Sequence, residues 1–299
     1  MRRVLAAVAV AAGLVTVSIT PAAAQPISLS SFYTPAYGWW QDQPAVRLQP
    51  TSTHVCVLTR VGGHFQGDGE AVRVYQSNGW WYLGGHSQQD GVHGTARCFR
   101  QSSFTSIHGS THWVSADQGV TVTTASSCYN GGAPLWWGDA ATIMTGIRGN
   151  FAGAGESAGV TQSVDGRRSS DIHTGGCQDD SLWQVWGYSF FVGRPHAGDL
   201  ATFLPHSSDR YAKNPGTAAT VPESMSTAAN GNGVTRLMAR ADWAMCYLTE
   251  VRGKLRGADD YVEIVPEDVS DDTTDWVLRT HSATTDGISA KARCYARNQ

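Results

Sequence analysis

Between residues 56 and 99 apolar positions alternate with polar ones: Val61 and Phe65, then Val72 and Val74, then Trp81 and Leu83, separated by Gly67 to Gly69 and by Ser77-Asn78-Gly79. A period of two marks strands with one buried face, and the glycine-rich breaks mark turns. Asn78-Gly79 suits a tight hairpin because both residues tolerate positive φ. A closing strand near residues 95 to 99 returns Cys98 to the side of the first strand, so the segment reads as an antiparallel meander of three or four strands. Cys56 and Val61 differ in parity, which requires either a bulge or a strand buried on both faces near Leu58. Helical periodicity is weak along the whole chain.

The same pattern recurs. CVLTRVGGHFQGDGE (Cys56 to Glu70), TIMTGIRGNFAGAGE (Thr142 to Glu156) and CYLTEVRGKLRGADD (Cys246 to Asp260) superimpose without a gap. Their pairwise identities are 6, 6 and 5 of 15 positions, where unrelated segments would share roughly one, so the chain contains an internal repeat. A second pattern, Trp-x-(Leu/Val)-x-x-(His/Tyr)-Ser, follows as Trp81 to Ser87, Trp183 to Ser189 and Trp276 to Ser282. Copies one and three then end alike, in GVHGTARCF (Gly91 to Phe99) and GISAKARCY (Gly287 to Tyr295), whereas the middle copy ends differently.

The repeat makes the cysteines interpretable. Copies one and three have a cysteine at each end, and the middle copy lacks both, with Thr142 at the first position. Joint loss is expected of bonded partners, which pairs Cys56 with Cys98 and Cys246 with Cys294. Cys128 and Cys177 form a third bridge by elimination.

The expected fold is all-β: three divergent antiparallel β-meander repeats, packed together with pseudo-threefold symmetry or strung out as tandem small sandwich domains. The expected boundaries are 1–24 for an export signal, 25–105 for the first repeat with an N-terminal extension, 106–197 for the diverged second repeat, 198–232 for a Ser-, Thr- and Asn-rich linker and 233–299 for the third repeat. A repeat of under about 50 residues buries its own apolar face poorly, which favours packing between copies.

Arg2 and Arg3, an apolar run to Val17 and small residues ending at Ala24 form a cleavable secretory signal, too short to span a bilayer. A secreted product, extracellular or periplasmic, is expected, with disulfides that persist and no membrane span. Charged residues are only 16% of the chain and Gly numbers 33, a profile of short strands and turns. The net charge of −3 becomes more negative once the signal arginines leave, so no nucleic-acid partner is expected.

Sequence motifs for nucleophile elbows, zinc-protease helices and phosphate loops are missing, and no catalytic residue, metal or other cofactor is assigned. His108 and His112 have helical ligand spacing but sit in a segment without helix period. Glu70, Glu156 and Asp260 share one repeat position after a glycine-rich turn, which points to turn capping, with a calcium site as the alternative. His86, Tyr188 and His281 share another, beside Ser87, Ser189 and Ser282.

Tryptophan comes in adjacent pairs: Trp39-Trp40, Trp80-Trp81 and Trp136-Trp137. Strand neighbours face opposite ways. Trp81 holds the repeat position and is therefore expected in the core, which puts Trp80 on the other face with Tyr82 and His86. Trp39, Trp40, Trp136 and Trp137 lie beside turn residues and are expected to be exposed. Flat rings on a rigid sheet suit stacking on sugar rings. The expected function is thus non-catalytic binding of a glycan or other cell-surface ligand through Trp39, Trp40, Trp80, Tyr82, His86, Trp136 and Trp137. The alternatives are an exported polysaccharide or cell-wall hydrolase, which needs two convergent carboxylates, and a structural or protein-interaction module of the envelope.

Overall fold

The structure is a computed structural model that describes residues 33–67, 69–104, 121–124, 133–136, 140–151, 153, 155–161, 170–175, 183–191, 224–228, 231–242, 244–270, 273–283 and 287–296. Among these residues there are only strands, turns and one short 3-10 turn, and every strand pairing is antiparallel. Copy one carries β1 (Tyr37–Trp40), β2 (Val46–Pro50), β3 (His54–Gly62), β4 (Ala71–Ser77), β5 (Trp80–His86) and β6 (His93–Arg100). Copy two carries β7 (Thr121–Thr124), β8 (Ala133–Trp136), β9 (Ala140–Arg148), β10 (Ser157–Thr161), β11 (Ser170–Gly175) and β12 (Trp183–Phe191). Copy three carries β13 (Ser224–Ala228), β14 (Gly231–Arg240), β15 (Ala244–Gly253), β16 (Tyr261–Ser270), β17 (Thr273–Ser282) and β18 (Ile288–Ala296).

The copies exchange strands. The three sheets run β1-β6-β3-β16-β17-β14, β2-β5-β4-β9-β12-β7 and β13-β18-β15-β10-β11-β8. Each joins the first, last and third strands of one copy to the fourth, fifth and second strands of another. No copy completes a sheet alone, which excludes tandem sandwich domains. One apolar cluster holds residues of all three copies, including Phe65, Phe151, Leu255, Trp81, Trp276 and Tyr247. Tyr33 and Phe99 of copy one pack on Trp276 of copy three at centroid distances of 5.3 and 5.9 Å.

The chain crosses between sheets at the repeated frame. Phe65 N–H donates to the Leu255 carbonyl (2.8 Å), Leu255 N–H to the Phe151 carbonyl (3.1 Å) and Phe151 N–H to the Phe65 carbonyl (2.7 Å). These bonds close a ring around the centre, and all three side chains are fully buried. A second cyclic set joins Gly63 N–H to the Asp260 carbonyl, Gly149 N–H to that of Glu70 and Gly253 N–H to that of Glu156. These three glycines have φ of 101°, 139° and 107°, a region open to glycine at little steric cost. A methyl on Gly63 would also lie 2.0 Å from the Gly91 carbonyl oxygen.

The shared carboxylates cap the turns between the third and fourth strands. Asp260 accepts from the N–H groups of Arg256 (2.9 Å), Gly257 (2.7 Å) and Ala283 (2.7 Å). Glu156 accepts from Gly153 N–H at 2.6 Å, and Glu70 from Gln88 N–H at 3.3 Å. All three are buried; Asp260 and Glu156 face main-chain donors of their own turns, as capping requires, whereas Glu70 reaches past β5 to Gln88 through one oxygen.

The parity change in the first strand is a bulge, and it repeats. Pairing skips Thr59 between Leu58 and Arg60, Thr145 between Met144 and Gly146, and Thr249 between Leu248 and Glu250. The extra residue lets Cys56 and Val61 share the core face. The expected cystines Cys56–Cys98 and Cys246–Cys294 link facing positions of β3–β6 and β15–β18. Thr142 and Ser189 face each other at the same place in copy two. Cys128 and Cys177 lie outside the described residues. Two such bridges are those of a chain matured in an oxidising environment. Among the described residues no helix is long and apolar enough to cross a membrane.

Two readings of the repeat change. Trp183 to Ser189 is not the counterpart of Trp81 to Ser87, because β12 pairs with β9 as β6 does with β3 and as β18 does with β15. The structural counterpart of β5 and β17 is β11. A pattern with only two invariant positions, Trp and Ser, matched the wrong strand. The segment read as a linker contains β13 and the start of β14, which pair with β18 and β17.

Trp81 and Trp276 act alike. Each is buried, and each indole N–H donates to the carbonyl two residues before the first half-cystine: Trp81 to His54 (2.8 Å) and Trp276 to Ala244 (2.7 Å). Trp81→Ala therefore loses a core ring and a buried bond together, and is expected to cost about 3–5 kcal/mol in urea unfolding. Asp260→Ala strands its three N–H donors and is expected to cost about 1–3 kcal/mol, measured in the same way.

Candidate functional site

The second sheet, β2-β5-β4-β9-β12-β7, carries an aromatic row on its outer face. Along β5, Trp80, Tyr82 and His86 alternate with the buried Trp81 and Leu83, as the pair pattern requires; Trp80 and Tyr82 are partly exposed and His86 is exposed. Along β4, Arg73 and Tyr75 alternate with the buried Val72 and Val74. Tyr75 faces Tyr82 in register, and the rings stack at 5.6 Å with planes 21° apart. Arg47 of β2 also faces Tyr82, and its guanidinium lies over the Trp80 ring at 4.6 Å.

Strand exchange extends the row into copy two. Arg73 faces Gly146 of β9, which in turn faces Trp186 of β12. A methyl on Gly146 would come within 2.5 Å of Arg73 Cβ. The bare backbone there leaves room for the Arg73 guanidinium, 4.7 Å from the Tyr75 ring centre and 5.3 Å from that of Trp186. Flat cations and rings thus alternate across four strands, each cation–π contact being worth about 0.5–1 kcal/mol when exposed. Arg47, Arg73 and Tyr75 were not singled out from the sequence, although Arg73 and Tyr75 alternate with Val72 and Val74. Trp186 was not legible, because nothing local places it beside copy one.

The Trp39-Trp40 pair divides. Trp39 is only 2% exposed, its indole N–H donates to the Gln43 carbonyl at 3.0 Å, and its ring covers the Gly85 backbone of β5. It is a core residue, not a ligand-facing ring. The turn beside it changes the chain's direction without exposing the strand's inner face. Trp40 is 51% exposed and stacks on His93 of β6 at 4.5 Å. It stands on the outer face of the first sheet, beyond a row in which Arg60 covers Tyr261 at 4.0 Å and Tyr261 stacks on His281 at 5.5 Å. Trp136 ends β8 in the third sheet, opposite Ser170; its side chain and the whole of Trp137 lie outside the described residues, as do His108 and His112. The structure therefore gathers Trp80, Tyr82 and His86 on one face and puts Trp40 on another. Among the described residues no group of three or more His, Cys, Asp and Glu side chains converges as a metal site would require.

His93 is buried under Trp40, with Nδ1 bonded to the Gly91 carbonyl at 2.8 Å. Burial, above all, holds its pKa below the ordinary histidine value of 6.5; Arg60 adds to this, and the Gly91 bond opposes it. A lowered pKa means that the unfolded chain takes up the proton first as pH falls, so stability is lost below about 6.5. Acidification from pH 7 to 5 is expected to lower the melting temperature of the wild type more than that of His93→Ser, as read by calorimetry across the range. No protein-family model, curated protein or solved structure matches this chain.

Proposed function

We propose that this chain is a secreted, non-catalytic carbohydrate-binding protein. The observation that carries the reading is the row Trp80, Tyr82, Tyr75 and Trp186 with Arg47 and Arg73, partly exposed on the outer face of one sheet. Aromatic faces held by a sheet packed on a filled core lose little freedom on binding, and they match the apolar faces of sugar rings while the guanidinium edges bond hydroxyls. Trp40 on the first sheet is a further solvent-facing ring of the same kind. The export signal and the disulfides support an extracellular or periplasmic place of action. The carboxylates at the shared repeat position are buried and bonded to main-chain N–H groups, so they support turn structure rather than glycoside hydrolysis.

The test is binding of the oxidised protein to a glycan array and to insoluble polysaccharides, with tryptophan fluorescence as a second readout. Tyr82→Ala and Trp80→Ala are each expected to weaken binding roughly tenfold, the worth of one stacked ring. Trp80→Ala is expected to cost no more than about 1 kcal/mol, the worth of its contact with Arg47 and far below the cost of Trp81→Ala. Binding that is unchanged in both variants, or absent on every glycan with the wild type folded, overturns the reading.

A further inference from the structure

The three sheets differ in charge in a way that the whole chain does not foreshadow. The strands of the first sheet include Glu263, Glu267, Asp268 and Asp275, and two of its arginines meet them: Arg60 lies 3.8 Å from Glu263 and Arg279 lies 2.9 Å from Glu267. The third sheet pairs Lys291 with Glu250 at 2.7 Å and includes Asp171 in β11. The six strands of the second sheet contain no Asp or Glu at all, yet they include Arg47, Arg73 and Arg148. It is the sheet whose strands hold arginines and no carboxylate to meet them.

Arg47 and Arg73 also lack a carboxylate partner among the described residues; each lies on aromatic rings instead. A guanidinium held flat on a ring keeps its N–H fork free in its own plane, where it meets an oxyanion with two parallel bonds. Arg47 stands on β2, two strands from Arg73 on β4 and one row along. From ordinary strand spacing and rise, their Cα atoms are about 12 Å apart. That is more than one sugar ring spans, so the arrangement suits a polymer with repeated anions. We infer that the ligand of this face is an acidic polysaccharide, its carboxylate or sulfate groups bonded by Arg47 and Arg73 and its sugar rings stacked on Trp80, Tyr82, Tyr75 and Trp186. The inference rests on the carbohydrate reading and narrows it to an anionic class.

The experiment compares matched polymers on the oxidised full chain: polygalacturonate against its carboxyl-reduced form, and dextran sulfate against dextran, with an oligodeoxythymidylate as a non-sugar polyanion. At least one acidic polymer is expected to bind ten or more times tighter than its neutral partner, and that preference is expected to shrink as salt rises. Arg47→Gln and Arg73→Gln are expected to remove most of the preference while lowering the melting temperature by no more than a few degrees, whereas Tyr82→Ala weakens acidic and neutral polymers alike. Which acidic polymer binds identifies the anion as carboxylate or sulfate. Equal affinity for acidic and neutral partners overturns the inference and leaves carbohydrate binding standing. The oligodeoxythymidylate binding tighter than every glycan also overturns it, and no binding to any glycan overturns both readings.

Discussion

Three main-chain hydrogen bonds among Phe65, Leu255 and Phe151 close a ring at the centre of the protein, and the rest of the architecture follows from them. In each copy the chain leaves one sheet at this point and enters the next. The ring can form only if all three copies bring their third strands to the centre together. An N–H or carbonyl buried there without a partner would cost free energy comparable to the lost bond. That penalty ties the copies into one cooperative body. The positive φ of Gly63, Gly149 and Gly253 makes the inward turn possible, and the buried carboxylates three residues past the next shared glycine secure the return.

The same constraint builds the binding face. Because β4 and β5 of copy one must pair with β9 and β12 of copy two, Trp186 comes to lie beside Arg73. Neither copy alone carries the row. The outward faces are free to diverge, since they answer to solvent and not to the centre, and they have done so. Arg60 and Arg279 on the first sheet meet glutamates, whereas Arg47 and Arg73 on the second lie over rings. A sheet packed on a filled core holds these side chains in place before a ligand arrives, which favours binding by reducing the ordering cost.

Legibility tracked locality. The alternation around Trp80 and Trp81 was readable because a strand's two faces are settled by parity. The cystine pairs were readable because the middle copy lost both members at once. The bulge at Thr59 was legible only as a parity conflict between Cys56 and Val61. Trp39 and Trp40 show the limit: parity separates them, but which one faces the core depends on β1 lying against β6 with its inner face over β5, a contact remote in sequence. The strands β7 and β13 share little sequence with β1, since the main-chain bonds that hold an edge strand can be made by nearly any residue. A chance match at Trp183 could pass for the Trp81 position because the shared pattern is short.

By itself, then, the sequence determined the all-β class, the three copies, two of the disulfides and the outward placement of Trp80, Tyr82 and His86, because each follows from period, turn residues and internal comparison. The tertiary structure alone decided that the copies trade strands, that Trp39 is core while Trp40 is exposed, and that Arg47, Arg73 and Trp186 join the aromatic row. Those outcomes depend on pairings between segments far apart in the chain, and strand pairing is made by main-chain groups that every residue carries, so no local pattern encodes the choice of partner.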